Sequence, residues 1–264
     1  MNARRAMDFA ITVREMLYRL ASPVDAAVGA ALGREAMPPL WLRRHVGAAV
    51  PGEFRAAAAA GAMQLRELFP HPAFRSVLDL GCGCGAMVPY FRETLPSAGR
   101  YLGLDKHRGC LHWAQRRWAA DQRIRFAHVH EAAPLTAGAP FDLVLAKSLF
   151  THLVAGEAEA MLQLIRAHMA AGGYLVLTVF LHDHQGITPM FPHAAGDGFV
   201  RYRRRMRPAA AVTFDRDFFL ALLSAAGFRV ERAWYWFWPG DQSRIRNQDL
   251  LLCRPDGDRA ACPS

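Results

Sequence analysis

Short β-branched or leucine-rich runs alternate with stretches of helical period from Arg75 onward, and this alternation predicts an α/β fold with a parallel sheet. Ser76–Leu80, Arg100–Leu104, Ile124–Val129, Phe141–Ala146 and Tyr174–Phe180 read as five buried strands. Between the fourth and fifth, residues 155–170 place Leu, Ile and Met at helical spacing, and Ala171-Gly172-Gly173 supplies a stop. The helical pattern repeats over Phe218–Ala226 and ends at Gly227, after which Phe228–Trp238 and Gln248–Arg254 can close the sheet as two more strands.

Residues 1–70 carry no strand signal and read as a helical cap ahead of the main domain, residues 71–256. One helix is expected from Ala3 to Leu20, and Pro51-Gly52 precedes a strong helix former running from Glu53 to Phe69 with five consecutive alanines. Pro38-Pro39-Leu-Trp-Leu-Arg-Arg-His-Val-Gly reads as a turn and connecting piece between them. From Leu181 to Asp215 periodicity disappears, and His, Pro, Gly and Arg dominate. That is long for a structureless connection, so residues 182–215 are expected to form a lid or insertion over an acceptor site. Residues 257–264 read as a disordered tail.

Composition narrows the setting. At 264 residues and 52% hydrophobic content the chain can bury one sizeable core with an appended cap. No apolar run reaches 18 residues, and Asp8, Arg14, Glu15 and Arg19 interrupt the first twenty residues, unlike a secretory leader. A cytoplasmic protein without a membrane span is expected. Five scattered cysteines give neither a disulfide framework nor a C-x-x-C pair. The net charge of +9, from 32 basic and 23 acidic residues, fits an anionic acceptor, nucleic acid or a membrane surface. An Arg-rich, Ala-rich composition also follows from a GC-rich genome, and nucleic acid is not expected as a partner.

The chemistry concentrates where the first strand ends. Val77-Leu78-Asp79-Leu80-Gly81-Cys82-Gly83-Cys84-Gly85 closes a strand with an acid and turns through three alternating glycines, and a helix opens near Ala86. Glycine permits the tight turn and leaves no Cβ between main-chain N–H groups and a ligand. Asp105 ends the second strand twenty residues past Gly85, where a carboxylate can accept both hydrogen bonds of a ribose diol. Gly81, Gly83 and Ala86 also satisfy the dinucleotide spacing, so a nicotinamide enzyme is the competing reading. Against it, Asp79 stands two residues before the first glycine, where it would attract an ammonium group and repel a pyrophosphate. Capping of the following turns is the alternative role for Asp79 and Asp105, and the glycines and the spacing favour a cofactor role over it. Cys82 and Cys84 lack a second pair, so they are small loop residues and no metal is expected.

Through Leu78–Gly85, Gly103-Leu104-Asp105 and Phe141-Asp142-Leu143-Val144-Leu145, the sequence resembles class I S-adenosylmethionine-dependent methyltransferases. The resemblance continues in Ser148–Leu153, in Ala171–Leu177, and in Gln248–Leu252, which looks like that family's final antiparallel strand. It covers residues from about Pro38 to Arg254, and the Pro38-Pro39 segment is similar to bacterial members of a small-molecule and glycan-type subgroup. The resemblance implies a Rossmann-like, seven-stranded, mostly parallel sheet sandwiched by helices, and S-adenosylmethionine as cofactor with S-adenosylhomocysteine as product. It places Asp79 near the methionine amino group, lines the cofactor with Gly81, Cys82, Gly83 and Gly85, gives the ribose to Asp105, and sets Lys106 and His107 beside the adenine. Where the family carries an Asp after the third strand, this chain has His130 followed by Glu131, a departure at the adenine contact. Lys147 and Ser148 fall where the methyl group and the acceptor would meet.

The implied activity is methyl transfer to a small molecule or glycan-type acceptor, on oxygen in the leading reading. A hydroxyl acceptor would need a base within hydrogen-bond reach, and His152, His182, Asp183 and His184 follow the fourth and fifth strands, at the edge where open sheets bind ligands. His152 equally fits a helix-end core residue, and His182-Asp183-His184 a turn cap. Arg203, Arg204 and Arg205 lie in the densest basic run and could recruit an anionic acceptor, or form a solvated face. Two other functions stay open: a cofactor-binding protein without methyl transfer, and an RNA methyltransferase.

Overall fold

The computed structural model describes residues 3–32, 36–130, 140–183, 190–196, 198–235 and 248–257, with side chains from residue 12 onward in the first helix. The chain forms two compact units, Met1–Ala73 with Cys82–Ala98 and Gly103–His130, and Phe74–Gly81 with Gly99–Leu102 and Glu131–Ser264.

Seven strands form one sheet: β1 (Ser76–Leu80), β2 (Arg100–Asp105), β3 (Ile124–His128), β4 (Phe141–Ala146), β5 (Met169–Val179), β10 (Phe228–Trp234) and β11 (Asp249–Pro255). Their order is β10-β11-β5-β4-β1-β2-β3, a mostly parallel, Rossmann-like arrangement. β1 pairs in parallel with β4, and β4 with β5, while β11 runs antiparallel between β5 and β10. The chain proceeds outward from β1 to β3, then restarts at β4 on the other side. That reversal makes the carboxyl ends of β1 and β4 a topological switch point, where open sheets bind ligands. Val77, Leu78, Leu143, Val144, Leu175, Leu177 and Leu251 are wholly buried, as expected for strands covered on both faces. At the opposite end, Asp142 accepts hydrogen bonds from the Arg75 and Ser76 N–H groups at 2.8 and 3.0 Å and ties β4 to the start of β1.

Between these strands run α4 (Val88–Thr94), α5 (Arg108–Arg117), α6 (Ala155–His168) and α7 (Arg216–Ala225), and the amino-terminal region forms α1 (Ala3–Ala31), α2 (Leu40–His45) and α3 (Pro51–Leu68). α1 runs through Pro23 well past the expected end at Leu20. The turn expected after Pro38-Pro39 contains α2. Its Arg43, wholly buried, donates from Nε to the Pro38 carbonyl at 3.0 Å and pairs with Asp25 of α1.

Two expectations change in detail. The helix expected to reach Ala170 ends at His168, and β5 begins at Met169. Phe141 faces Met169 while Leu143 faces Tyr174, so residues 170–173 bulge out of the pairing. Glycine is required there because a Cβ on Gly173 would stand 3.0, 3.0 and 3.1 Å from three carbonyl oxygens. The insertion is not structureless either. It contains β6 (Leu181–His182), β7 (His193–Ala195), β8 (Val200–Tyr202) and β9 (Val212–Asp215), a second sheet in the order β6-β9-β8-β7. Residues 258–264 of the expected tail, and Trp236, Phe237 and Trp238 of the expected sixth strand, lie outside the described residues.

Candidate functional site

At the switch point, β1 ends in Asp79 and turns at Gly81, which adopts φ +77°. The Asp79 side chain is 3% exposed, and the Tyr101 hydroxyl donates to it at 2.6 Å. Burial pushes the Lys147 amine below its ordinary value, and the Asp79 charge opposes that shift. Here the protein holds a buried carboxylate, hydrogen-bonded by a phenol, within electrostatic reach of a half-buried amine.

Ser148 follows with φ +58°, the one non-glycine residue in the left-handed region among the described residues. Three elements hold it there. Its N–H donates to Thr178 Oγ1 of β5 at 2.7 Å, and its hydroxyl donates to Gln248 Oε1 at 3.0 Å. Thr178 donates to the same Gln248 oxygen, and the Ser148 carbonyl accepts from Thr151 at 2.9 Å. A strained residue held by three side chains at a strand's carboxyl end marks a site that must keep one geometry.

The glycine loop and the end of β2 form a second cluster of contacts. Asp105 accepts from the Gly83 N–H through Oδ2 at 2.8 Å and from the His107 N–H through Oδ1 at 2.7 Å. Cys82 N–H donates to the Leu104 carbonyl at 3.1 Å, and Gly85 N–H to the Cys82 carbonyl at 2.9 Å. The glycines are fixed by packing as well as by φ. A Cβ on Gly83 would stand 2.8 Å from Val46 Cγ1, and one on Gly85 would stand 3.2 Å from Phe126, Trp118 and Val88. Cys82 and Cys84 are both buried. Cys84 shares a thiol hydrogen bond with Cys110, which with burial raises its own pKa and draws Cys110 down to about 6, with His107 adding to that lowering. His107 caps α5 by accepting the Cys110 N–H on Nδ1 at 3.1 Å, and its interaction with Cys110 holds its pKa above the ordinary value.

The remaining candidates fall in different settings. Lys106 offers its carbonyl to His128 Nε2 at 3.1 Å, while His130 is exposed and donates its N–H to His128 Nδ1 at 3.4 Å. His152 is exposed on a 3-10 turn, Phe150–His152, with Nδ1 3.0 Å from the Ala209 carbonyl. His182 is 2% exposed in β6, 3.2 Å from Thr213 Oγ1, and Asp183 is exposed just beyond the strand. Arg203, Arg204 and Arg205 are exposed, whereas Arg201 is tied to the Phe191 and Pro192 carbonyls. Glu131 and His184 lie outside the described residues. Among the described residues no group of three or more His, Cys, Asp or Glu side chains could hold a metal ion, and no helix is long and apolar enough to cross a membrane.

Tyr101, Thr178, Gln248 and Val46 escaped the sequence reading. Each meets its partner across strands or from another element, so no local spacing announces it.

A methyltransferase domain family matches residues 77–173. Trans-aconitate 2-methyltransferase of Deinococcus radiodurans is 28% identical over 133 residues, 50% of this chain and 48% of that protein. The same-named enzyme of Acidovorax sp. strain JS42 is 32% identical over 116 residues, 44% and 42% respectively. The chain thus spans about half the length of the curated relatives it matches. Among solved structures, the 1,6-didemethyltoxoflavin-N1-methyltransferase of Burkholderia thailandensis, with 1,6-didemethyltoxoflavin and S-adenosylhomocysteine bound, is 21% identical. Its TM-score is 0.55, with 76% of this chain and 79% of that one covered. With the glycine loop, the switch point and the antiparallel β11 all in place, residues 77–173 carry a methyltransferase domain, set in the fold of class I S-adenosylmethionine-dependent methyltransferases.

Proposed function

We propose that this protein transfers the methyl group of S-adenosylmethionine to a small, anionic acceptor, and that the atom methylated is an oxygen. The observation that carries the cofactor reading is the state of Asp105. Each of its oxygens accepts one main-chain N–H, at 2.8 and 2.7 Å, which fixes the carboxylate while leaving each oxygen a further lone pair for a diol hydroxyl. Asp79 adds a buried negative charge of the sign an ammonium needs. Gly81, where a Cβ would make only ordinary contact with Leu149 at 3.7 Å, keeps the turn open beside it. The donor set therefore fits S-adenosylmethionine, which supplies an electrophilic methyl group when bound.

The protein's own part is alignment and exclusion of water. Asp79 is suited to the ammonium and Asp105 to the ribose, with Cys82, Gly83 and Gly85 shaping the loop and Lys106, His107 and His130 suited to the adenine. Lys147 and Ser148 would border the acceptor. An oxygen of a carboxylate is already deprotonated at pH 7 and needs no base. Two observations support that choice. His182 is buried against Thr213, poorly placed to take a proton from an outside molecule, and the curated relatives are named for methylating an organic acid. The net charge of +9 and the exposed Arg203, Arg204 and Arg205 favour such an acceptor.

An acceptor screen with methyl-labelled cofactor, read as label transfer and S-adenosylhomocysteine release, tests the proposal. Di- and tricarboxylic acids are expected to be labelled and their methyl esters not. Labelling of amines or RNA in place of acids would remove the acceptor assignment.

A further inference from the structure

The unit that contains the glycine loop also contains α2, and the end of that helix closes on the loop. Val46 Cγ1 fills the space beside Gly83, 2.8 Å from where a Cβ would stand. The His45 ring lies 3.9 Å from the ring of His107, the residue whose N–H Asp105 accepts. Trp41 reaches 2.6 Å from the Cβ position of Gly109, and Leu42 packs with Cys84 and Cys110. The buried Arg43, with its Pro38 and Asp25 partners, anchors the segment from behind. These contacts fix the helix from which His45 and Val46 project.

Both residues nevertheless keep an outward face. Val46 is 37% exposed, and His45 is exposed while one side is covered by His107. The His45 imidazole and the outer side of Val46 thus stand beside His107, whose N–H is held by a carboxylate whose oxygens can still accept. The flat, weakly polar surface suits a purine, and the acceptor suits a ribose diol. Lost hydration and the neighbouring His107 hold His45 below its ordinary pKa, so its ring is neutral at pH 7 and does not repel a sulfonium.

We infer that His45 and Val46 form the cap-side wall of the cofactor site and pack against the adenosyl group. The inference rests on the cofactor reading above and adds to it a binding contribution from the amino-terminal cap, independent of the residues after β3 where the family's usual acid is replaced.

Calorimetry with S-adenosylhomocysteine and with 5′-methylthioadenosine, which lacks the amino-acid end, tests it on the full chain. His45→Ala is expected to weaken both ligands about tenfold, and His45→Phe, which keeps a ring face, to stay within about threefold of the parent protein. Val46→Ala should weaken both by a few-fold, and serves where His45→Ala proves unstable. Parent-like affinity in both alanine variants would overturn the wall while leaving the cofactor reading standing. Loss confined to S-adenosylhomocysteine would overturn the assignment to the adenosyl end. Failure of the parent protein to bind either ligand would instead remove the cofactor reading.

Discussion

At the residue scale the glycine loop shows how one pattern can have two causes. The alternating glycines were legible in the sequence as a place where a ligand meets bare main chain. In the structure Gly83 and Gly85 are also forced by positive φ and by side chains that already fill the Cβ positions. Gly83→Ala should lower stability by about 2 kcal/mol, from left-handed strain and from overlap with Val46. Adding Val46→Ala removes the overlap and leaves the strain, so the double variant should recover part of the loss in chemical denaturation. No recovery would mean that φ alone demands the glycine. Ser148 makes the converse case: its φ of +58° had no sequence signature, because Thr178 and Gln248, which hold it, stand 30 and 100 residues away. Ser148→Val places a β-branched residue in the left-handed region and strands the Thr178 and Gln248 groups, and should destabilise the protein by at least about 2 kcal/mol. A variant as stable as the parent would show that the turn can relax.

At the element scale, strands with long apolar runs were placed to within a residue or two, as for Ser76–Leu80 and Phe141–Ala146. What failed were elements too short to show a period. β6 to β9 are two to four residues each, below the length at which alternation can be recognised, so their sheet read as an aperiodic lid. The start of β5 was missed because Ala171-Gly172-Gly173, read as a helix stop, is a strand bulge whose glycine faces three carbonyls. Between α5 and β3 the connection is stapled by Asp121, which accepts Arg123 Nη2 at 2.7 Å and the Arg123 N–H at 3.1 Å. The Arg123 hydrogen bonds hold the Asp121 carboxyl well below the ordinary carboxylate range. Since the folded value is depressed, its contribution is complete above the unfolded value near 4 and fades as pH falls toward the lower folded value. Asp121→Asn should therefore remove about 1 kcal/mol at pH 7, and the gap from the parent protein should close in acid denaturation below pH 4. A gap that stays constant down to pH 2 would mean that packing, not charge, holds this turn.

At the scale of the whole molecule, seven strands could be counted in the sequence, but their order could not be read from periodicity. The antiparallel β11 came only through family resemblance, since pairing of β11 with β5 joins residues about seventy positions apart. The division of function is likewise global: Asp105 suits a ribose diol of either ligand, and it is Asp79 that favours a cationic adenosyl ligand over a pyrophosphate. That choice has a thermodynamic consequence. A ligand that binds only the folded protein stabilises it by about 2.7 kcal/mol when present at a hundredfold excess over Kd. For a chain of this size each kcal/mol moves Tm by about 2–4 °C, so saturating S-adenosylhomocysteine should raise Tm by roughly 5–10 °C. NADH at the same concentration should leave it unchanged, because its pyrophosphate would lie in the field of the buried Asp79. Asp105→Ala should abolish most of the shift with S-adenosylhomocysteine, since the proposed ribose contacts would be lost together with the anchor of the Gly83 and His107 N–H groups. A rise in Tm with NADH and none with S-adenosylhomocysteine would reverse the assignment of the site, and with it the reading of every residue placed around the loop.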